Sequence, residues 1–324
     1  MMLQEVAAAE NELGLRTQVG RHETVLLSRA GSTAAAISWH LLSLSPGDRL
    51  PAVGDLARRF GVGVNTVQRA LAVVEAEAGV VLDARGRHGT FLVELDRVRL
   101  WRLAGQDQLL GLMPLPYSRR YEGLATGLRQ VMSDIGIASS LAFMSGSRRR
   151  LDALARGEVF AVISGLALEE ARREGHAITP AVEMAPGSFV ESHGVIRRRR
   201  PAQGRLRVGI DPDSIDQSLL SRAEFGEHAT YRPMQYMQII ESVRRDLVDA
   251  AVWVLDTAPV DDVIETAPLT THAALALDRV ATQAVLAVRE DDDVLAKFLS
   301  DHVDVNTVLR IQRQVLKGTR IPSY

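Results

Sequence analysis

The segment Asn65–Arg69 carries side chains that can hydrogen-bond base edges or phosphate oxygens: Asn65, Thr66, Gln68 and Arg69. The residue they skip, Val67, begins an apolar series with Leu71, Val74 and Ala78. That spacing predicts one helix, Val64 to Ala78, with an apolar face and a hydrogen-bonding face. A second cluster follows at Arg85-Gly86-Arg87-His88-Gly89-Thr90, where basic side chains alternate with small residues that let a polyanion approach the backbone. This is the chemistry of recognition, not bond making. The chain has no cysteine, so thiol nucleophiles, disulfides and thiolate metal sites are excluded. Its eight histidines are scattered, with no i, i+4 pair. No phosphate-binding glycine loop, no Gly-x-Ser-x-Gly elbow and no marked carboxylate dyad occurs. Neither enzyme, cofactor nor metal is expected.

The surrounding elements must hold these residues in place. A chain of 324 residues exceeds what one core usually organises, so two domains are expected. Ser32 or Thr33 can cap a helix running to Leu44, with Ile37, Leu41 and Leu44 inward. Ser45-Pro46-Gly47 must stop it. A second helix spans Val53 to Phe60, with a stripe of Val53, Leu56, Ala57 and Phe60. Gly61-Val62-Gly63 is a tight turn into the helix at Val64. Val80–Leu82 and Gly89–Val93 then predict a hairpin whose tip carries the basic cluster. Three helices and a hairpin place a polar helix face where a major groove can accept it. The same pattern also describes a helical dimerisation module with a solvated polar face and a solvated hairpin tip. Periodicity does not separate the two. Upstream, Leu3–Leu15 predicts a short helix. The expected division is an extension at 1–30, a DNA-binding domain at 31–96 and a larger domain at 97–324.

Beyond Gly105 the pattern alternates. Short apolar runs at Leu109–Met113, Leu141–Met144, Val159–Ile163, Leu206–Ile210 and Ala250–Leu255 predict strands. Helical segments lie near 119–133, 147–155, 214–224 and 235–246. This predicts α/β layers on a largely parallel sheet. An Arg-rich stretch, Arg197–Gly204, is the expected crossover between two lobes. Met1–Thr17 lacks the basic start and apolar run of a signal peptide, and no stretch approaches the ~18 apolar residues of a membrane span. A cytoplasmic location without membrane contact is expected. The net charge of -2 leaves room for a local basic surface.

The order Pro46-Gly47-Asp48-Arg49-Leu50-Pro51, Asp55-Leu56-Ala57, Val62–Leu71 and Gly86-Arg87-His88-Gly89-Thr90-Phe91 resembles the winged helix of GntR-type regulators. Three positions depart from that pattern: Gly54 and Val64 stand where arginines are usual, and Gln68-Arg69 replaces an Arg-Glu pair. The resemblance implies an α+β winged helix-turn-helix that binds a double-stranded DNA operator through Asn65, Thr66, Gln68, Arg69, Arg85, Arg87, Gly89 and Thr90. One recognition helix reads few base pairs, so a homodimer on a two-fold operator is expected.

The string Met113–Leu128, with Phe143–Ser147 and Leu151–Leu154, resembles the C-terminal domain of YhfZ-like regulators. That resemblance implies an α/β two-lobed, type 2 periplasmic-binding-protein-like domain that senses a small-molecule effector. A cleft of this kind binds small anions, carboxylate or phosphate, at helix N-termini. Tyr117, Ser118, Arg119, Ser145, Ser147, Arg148, Asp211, Ser214 and Tyr231 are the candidate ligand residues. Serines and aspartates before helices are also ordinary N-caps, and arginine runs are often solvated faces. A sensing domain that only dimerises, and a cytoplasmic solute-binding module, remain open at this level.

Overall fold

The computed structural model describes residues 29–324 except 107, 158, 159, 200–203 and 260. The expected Leu3–Leu15 helix lies outside the described residues. The chain divides into two compact units, Met1–Gly105 and Gln106–Tyr324.

In the first unit, α1 (Arg29–Leu41), α2 (Val53–Phe60) and α3 (Val64–Ala78) precede the hairpin β1 (Val81–Ala84) and β2 (Thr90–Glu94). Helix α1 begins before the expected caps. The hydroxyls of Ser32 and Thr33 instead turn back to the Arg29 carbonyl, at 3.2 and 2.7 Å. Gly61 closes α2 in the left-handed region at φ 64°, which a glycine adopts without strain. Residues Gly47–Leu50 pair with β2 through Gly47 N–H to Leu92 O and Leu50 N–H to Thr90 O, both 2.8 Å. They act as a third strand of the wing.

Helix α4 (Arg97–Leu103) packs on α1 and α3. Arg97 donates to the Leu44 carbonyl at 3.0 Å, and the Trp101 ring lies 5.9 Å from that of Trp39. The first compact unit runs to Gly105 and so includes α4.

The second unit holds two mixed sheets. Elements of the first lobe are β3 (Gln108–Met113), α5 (Arg119–Asp134), β4 (Ala138–Phe143), α6 (Ser147–Ala155), β5 (Phe160–Ser164), α7 (Gly165–Arg173) and β6 (Ile178–Glu183). The second lobe follows with β7 (His193–Arg198), β8 (Arg207–Ile210), α8 (Ile215–Phe225), β9 (Thr230–Pro233), α9 (Ile239–Arg244), β10 (Ala250–Val254), β11 (Ile264–Pro268) and α10 (His272–Ala281). The chain then returns through β12 (Ala284–Arg289), α11 (Asp293–His302) and α12 (Val305–Leu316). Strand order is β4-β3-β5-β12-β6 in one sheet and β11-β7-β10-β8-β9 in the other.

Each sheet is half antiparallel, not largely parallel. β12 runs against β5 and β6, and β7 runs against β10 and β11. Residues 184–192 and the short link between Ala281 and Ala284 are the crossings between lobes. The Arg-rich stretch lies between β7 and β8, both strands of the second lobe, and so is not a crossing between lobes; Arg197, in β7, pairs with Glu265 at 2.8 Å. The C-terminal helix α12 lies tightly on α5. A side chain at Gly123 would come within 2.9 Å of Gln312 Cα, and one at Gly127 within 2.8 Å of the Val308 carbonyl. No helix among the described residues is long and apolar enough to cross a membrane.

Candidate nucleic-acid interface and effector cavity

Helix α3 buries Val67, Ala70, Val74 and Ala78, so its inner face includes Ala70 while Leu71 is only half-buried. Asn65, Gln68 and Arg69 are exposed on the opposite face, and Thr66 is half-buried. Gly63 stands at the helix N-cap and brings no side chain between the first turn and an approaching phosphate.

The wing is more constrained than its composition suggests. Arg85 Nε donates to the Asp83 carboxylate at 2.7 Å, and its guanidinium stacks 4.5 Å from the Phe91 ring centroid. Arg87 is exposed in the 3-10 turn Gly86–His88. Gly89 has φ 96°, and a side chain there would meet the Arg49 guanidinium at 2.5 Å. Thr90 pairs with Ala84 across the hairpin. Sequence reasoning passed over Arg49, an exposed cation whose backbone bridges to Phe91 beside the wing. The signal was the Gly47–Leu50 strand, which becomes visible only once it pairs with β2. Replacing Arg87 by Ala should flatten the slope of log DNA affinity against log salt by about one unit. Arg85→Ala should change it less, because Asp83 already neutralises that side chain. Anisotropy titrations at several salt concentrations measure both.

In the second unit, a cavity of about 50 Å³ lies between the lobes. The first lobe contributes Pro114, Leu115, Tyr117, Tyr121, Ser145, Gly146, Ser147 and Arg150, and the crossing segment contributes Phe189. The second lobe contributes Ser214, Asp216, Tyr236 and Met237. Four of the sequence candidates therefore meet here: Tyr117, Ser145, Ser147 and Ser214. Ser147 also serves the fold, since its hydroxyl accepts the Ile215 N–H at 3.0 Å and caps α8 across the cleft.

Five candidates do not line the cavity. Ser118 is buried and caps α5 by accepting the Tyr121 N–H at 3.2 Å. Arg119 is held at the surface by Glu122 at 3.2 Å. Arg148 makes a two-pronged pair with Glu174 at 2.6 and 2.7 Å. The Asp211 carboxylate accepts the N–H groups of Asp213 and Tyr236 at 2.9 and 3.0 Å, and burial raises its pKa. Tyr231 donates to the Gly226 carbonyl at 2.7 Å with the Arg222 guanidinium over its ring. Local bonding consumes each of these groups before a ligand arrives.

The residues that dominate the cavity were not foreseen. Arg150 is 4% exposed. Its Nε donates to the Val162 carbonyl at 3.0 Å and its Nη1 to the Met144 carbonyl at 2.7 Å. No carboxylate pairs with it among the described residues, and Nη2 has no partner there. Burial lowers its pKa, and a guanidinium keeps its charge inside proteins. The Tyr117 ring lies 5.3 Å from that of Tyr121 and 5.5 Å from that of Tyr236. Burial raises the pKa of all three, so they remain neutral donors. The Tyr236 ring stacks on Trp253 at 4.0 Å, which fixes one wall. Asp216 accepts a hydrogen bond from Ser164, and burial pushes its carboxyl pKa up. The arrangement is a largely desolvated box of hydroxyl donors around one guanidinium, suited to holding an anion.

These parts define a helix-turn-helix regulator with a C-terminal domain of two mixed α/β lobes. A helix-turn-helix domain family matches residues 45–92, and the YhfZ C-terminal domain family matches residues 96–324. The chain belongs to the YhfZ family. It is 31% identical to YhfZ of Escherichia coli strain K12 over 302 residues, covering 92% of this chain and 98% of that protein. The crystal structure of YhfZ from Shigella flexneri superposes with a TM-score of 0.58 at 31% identity, covering 67% of this chain and 94% of that one. The N-terminal part is 40% identical over 70 residues to the HTH-type transcriptional regulator Rv1152 of Mycobacterium tuberculosis, which is 22% of this chain and 56% of that protein. The two lobes also resemble periplasmic binding proteins in outline, the methionine-binding protein MetQ among them, at a TM-score of 0.45 and 11% identity.

Proposed function

We propose that this protein is an intracellular transcription regulator whose two-lobed domain binds a small anion and thereby sets the affinity of the winged helix for its operator. The observation that carries the reading is Arg150. A buried guanidinium that makes no direct ion pair costs several kcal/mol unless a counter-charge is supplied, and Asp216 acts on Arg150 within the same cavity without bonding to it. Arg150 lines a cavity to which both lobes contribute, so an anion held there would neutralise the charge and bridge the lobes. Coupling of about 1–3 kcal/mol changes operator affinity roughly five- to 150-fold. Asn65, Thr66, Gln68 and Arg69 read the groove, while Arg49, Arg85 and Arg87, with Gly89 and Thr90, follow the backbone. A homodimer on a two-fold site supplies the contact that one recognition helix lacks.

The test uses a DNA site selected by the full-length protein from random sequence. Anisotropy titrations are run with and without a panel of small anions. One class of anion is expected to shift the wild-type affinity within the range above. Arg150→Lys is expected to keep the ligand-free affinity and lose the response. An unchanged response in that variant removes Arg150 from the site.

A second reading has support in direct contacts between the lobes. The Asp213 carbonyl accepts the Arg148 N–H at 3.0 Å, and the Asp213 carboxylate pairs with Arg149 at 2.7 Å. Such contacts favour closure without ligand, in which case the domain serves only to dimerise. A melting temperature that no anion moves supports that reading.

A further inference from the structure

The cavity is small, and its described lining sets one cation beside one carboxylate. Its volume of about 50 Å³ holds roughly three to five waters. Among the described residues Arg150 is its one cationic lining residue, and Nη2 and the second N–H of Nη1 are left after the Val162 and Met144 carbonyls are served. Asp216 is the one carboxylate in the lining. Arg150, His193 and Asp278 are the charged or titratable side chains in its field, and the Ser164 hydroxyl holds its orientation. His193 is itself engaged by Asp278, at 2.7 Å. A dianion entering this space would meet Asp216 in a low-dielectric setting with a single cation to offset two charges. The walls are the rings of Tyr117, Tyr121, Phe189 and Tyr236, which suit a short carbon chain better than a fully oxygenated anion.

We propose that this cavity takes a short-chain monocarboxylate of about two to four carbons, with its carboxylate on Arg150 Nη2 and its chain against Tyr117 and Tyr236. The proposal rests on the anion-binding reading above and narrows it. Asp216 acts as the selector: it rejects a second negative charge.

The experiment is calorimetric titration of the full-length protein at constant ionic strength. Acetate, propionate, pyruvate and lactate serve as monoanion probes, with succinate and inorganic phosphate as dianion probes, all at an alkaline pH at which phosphate is fully a dianion. At least one monocarboxylate is expected to bind about tenfold or more tightly than either dianion probe. Asp216→Asn preserves shape and the bond to Ser164, and is expected to erase most of that preference. Arg150→Lys is expected to abolish monocarboxylate binding while retaining the wild-type far-ultraviolet circular dichroism. Succinate or phosphate binding to the wild type as tightly as every monocarboxylate overturns this inference and leaves the anion reading standing. Binding of no probe overturns both. Undiminished binding to Arg150→Lys places the carboxylate elsewhere and overturns the proposal. Should Asp216→Asn fail to fold, the wild-type order of affinities still decides.

Discussion

Leu56→Ala is expected to destabilise the first unit by about 2–5 kcal/mol, whereas Arg69→Ala should leave its stability within about 0.5 kcal/mol and weaken specific DNA binding by about 1–3 kcal/mol. Leu56 is 1% exposed on α2, and truncation leaves a cavity that the closely packed helices refill only in part. Its effect on DNA follows from unfolding. Arg69 is exposed on α3 beside the buried Ala70, so its removal disturbs no core contact. Urea unfolding followed by tryptophan fluorescence reports on this unit through Trp39 and Trp101, which lie 5.9 Å apart. Anisotropy on the selected DNA site reports on recognition. Loss of stability in Arg69→Ala, or unchanged DNA affinity together with Gln68→Ala, removes α3 from the recognition role.

Gly146→Val is expected to force the lobes apart and reduce anion affinity by more than about tenfold. Gly146 has φ 77°, a conformation costing about 1–2 kcal/mol for a residue with a Cβ. The added carbon would also lie 2.7 Å from Asp213 Cβ and 2.9 Å from its carbonyl oxygen. Those atoms are backbone or next to it, so relief requires the second lobe to move. Movement breaks the Arg148 N–H bond to Asp213 and uncaps α8 by separating Ile215 from Ser147. Gly175→Val is the matched control: Gly175 has φ 88° with open space around it, and so carries the strain without the wedge. Small-angle scattering should show a larger radius of gyration for Gly146→Val alone. Equal radii in the two variants would mean that Asp213 yields locally and the closed form does not depend on this contact.

Much of the first unit was legible because its signals are local. The bounds of α2 and α3 follow from apolar spacing with Gly61 and Gly79 at their ends, and both elements occur as expected. The exposed face of α3 follows from the same spacing, displaced only where Ala70 replaces Leu71 in the core. The helix α4 was harder to place. Arg97, Arg99 and Arg102 give it a polar appearance, while Leu100 and Trp101 are buried against helices distant in sequence.

In the second unit the strand-to-helix junctions were visible, and Tyr117, Ser145, Ser147 and Ser214 do meet at one cavity. The group that defines that cavity was not visible. Arg148, Arg149 and Arg150 look alike in sequence, yet two reach surface carboxylates and the third is buried. Sequence determined that a polar helix would follow a wing-bearing core and that serines would start the helices around a cleft. Only the tertiary structure decided which arginine lost its solvent. That choice depends on the carbonyls of Val162 and Met144, supplied by neighbouring segments, and on the aromatic rings packed around the cavity. Desolvation is a property of everything packed around a charge, and no local spacing encodes it.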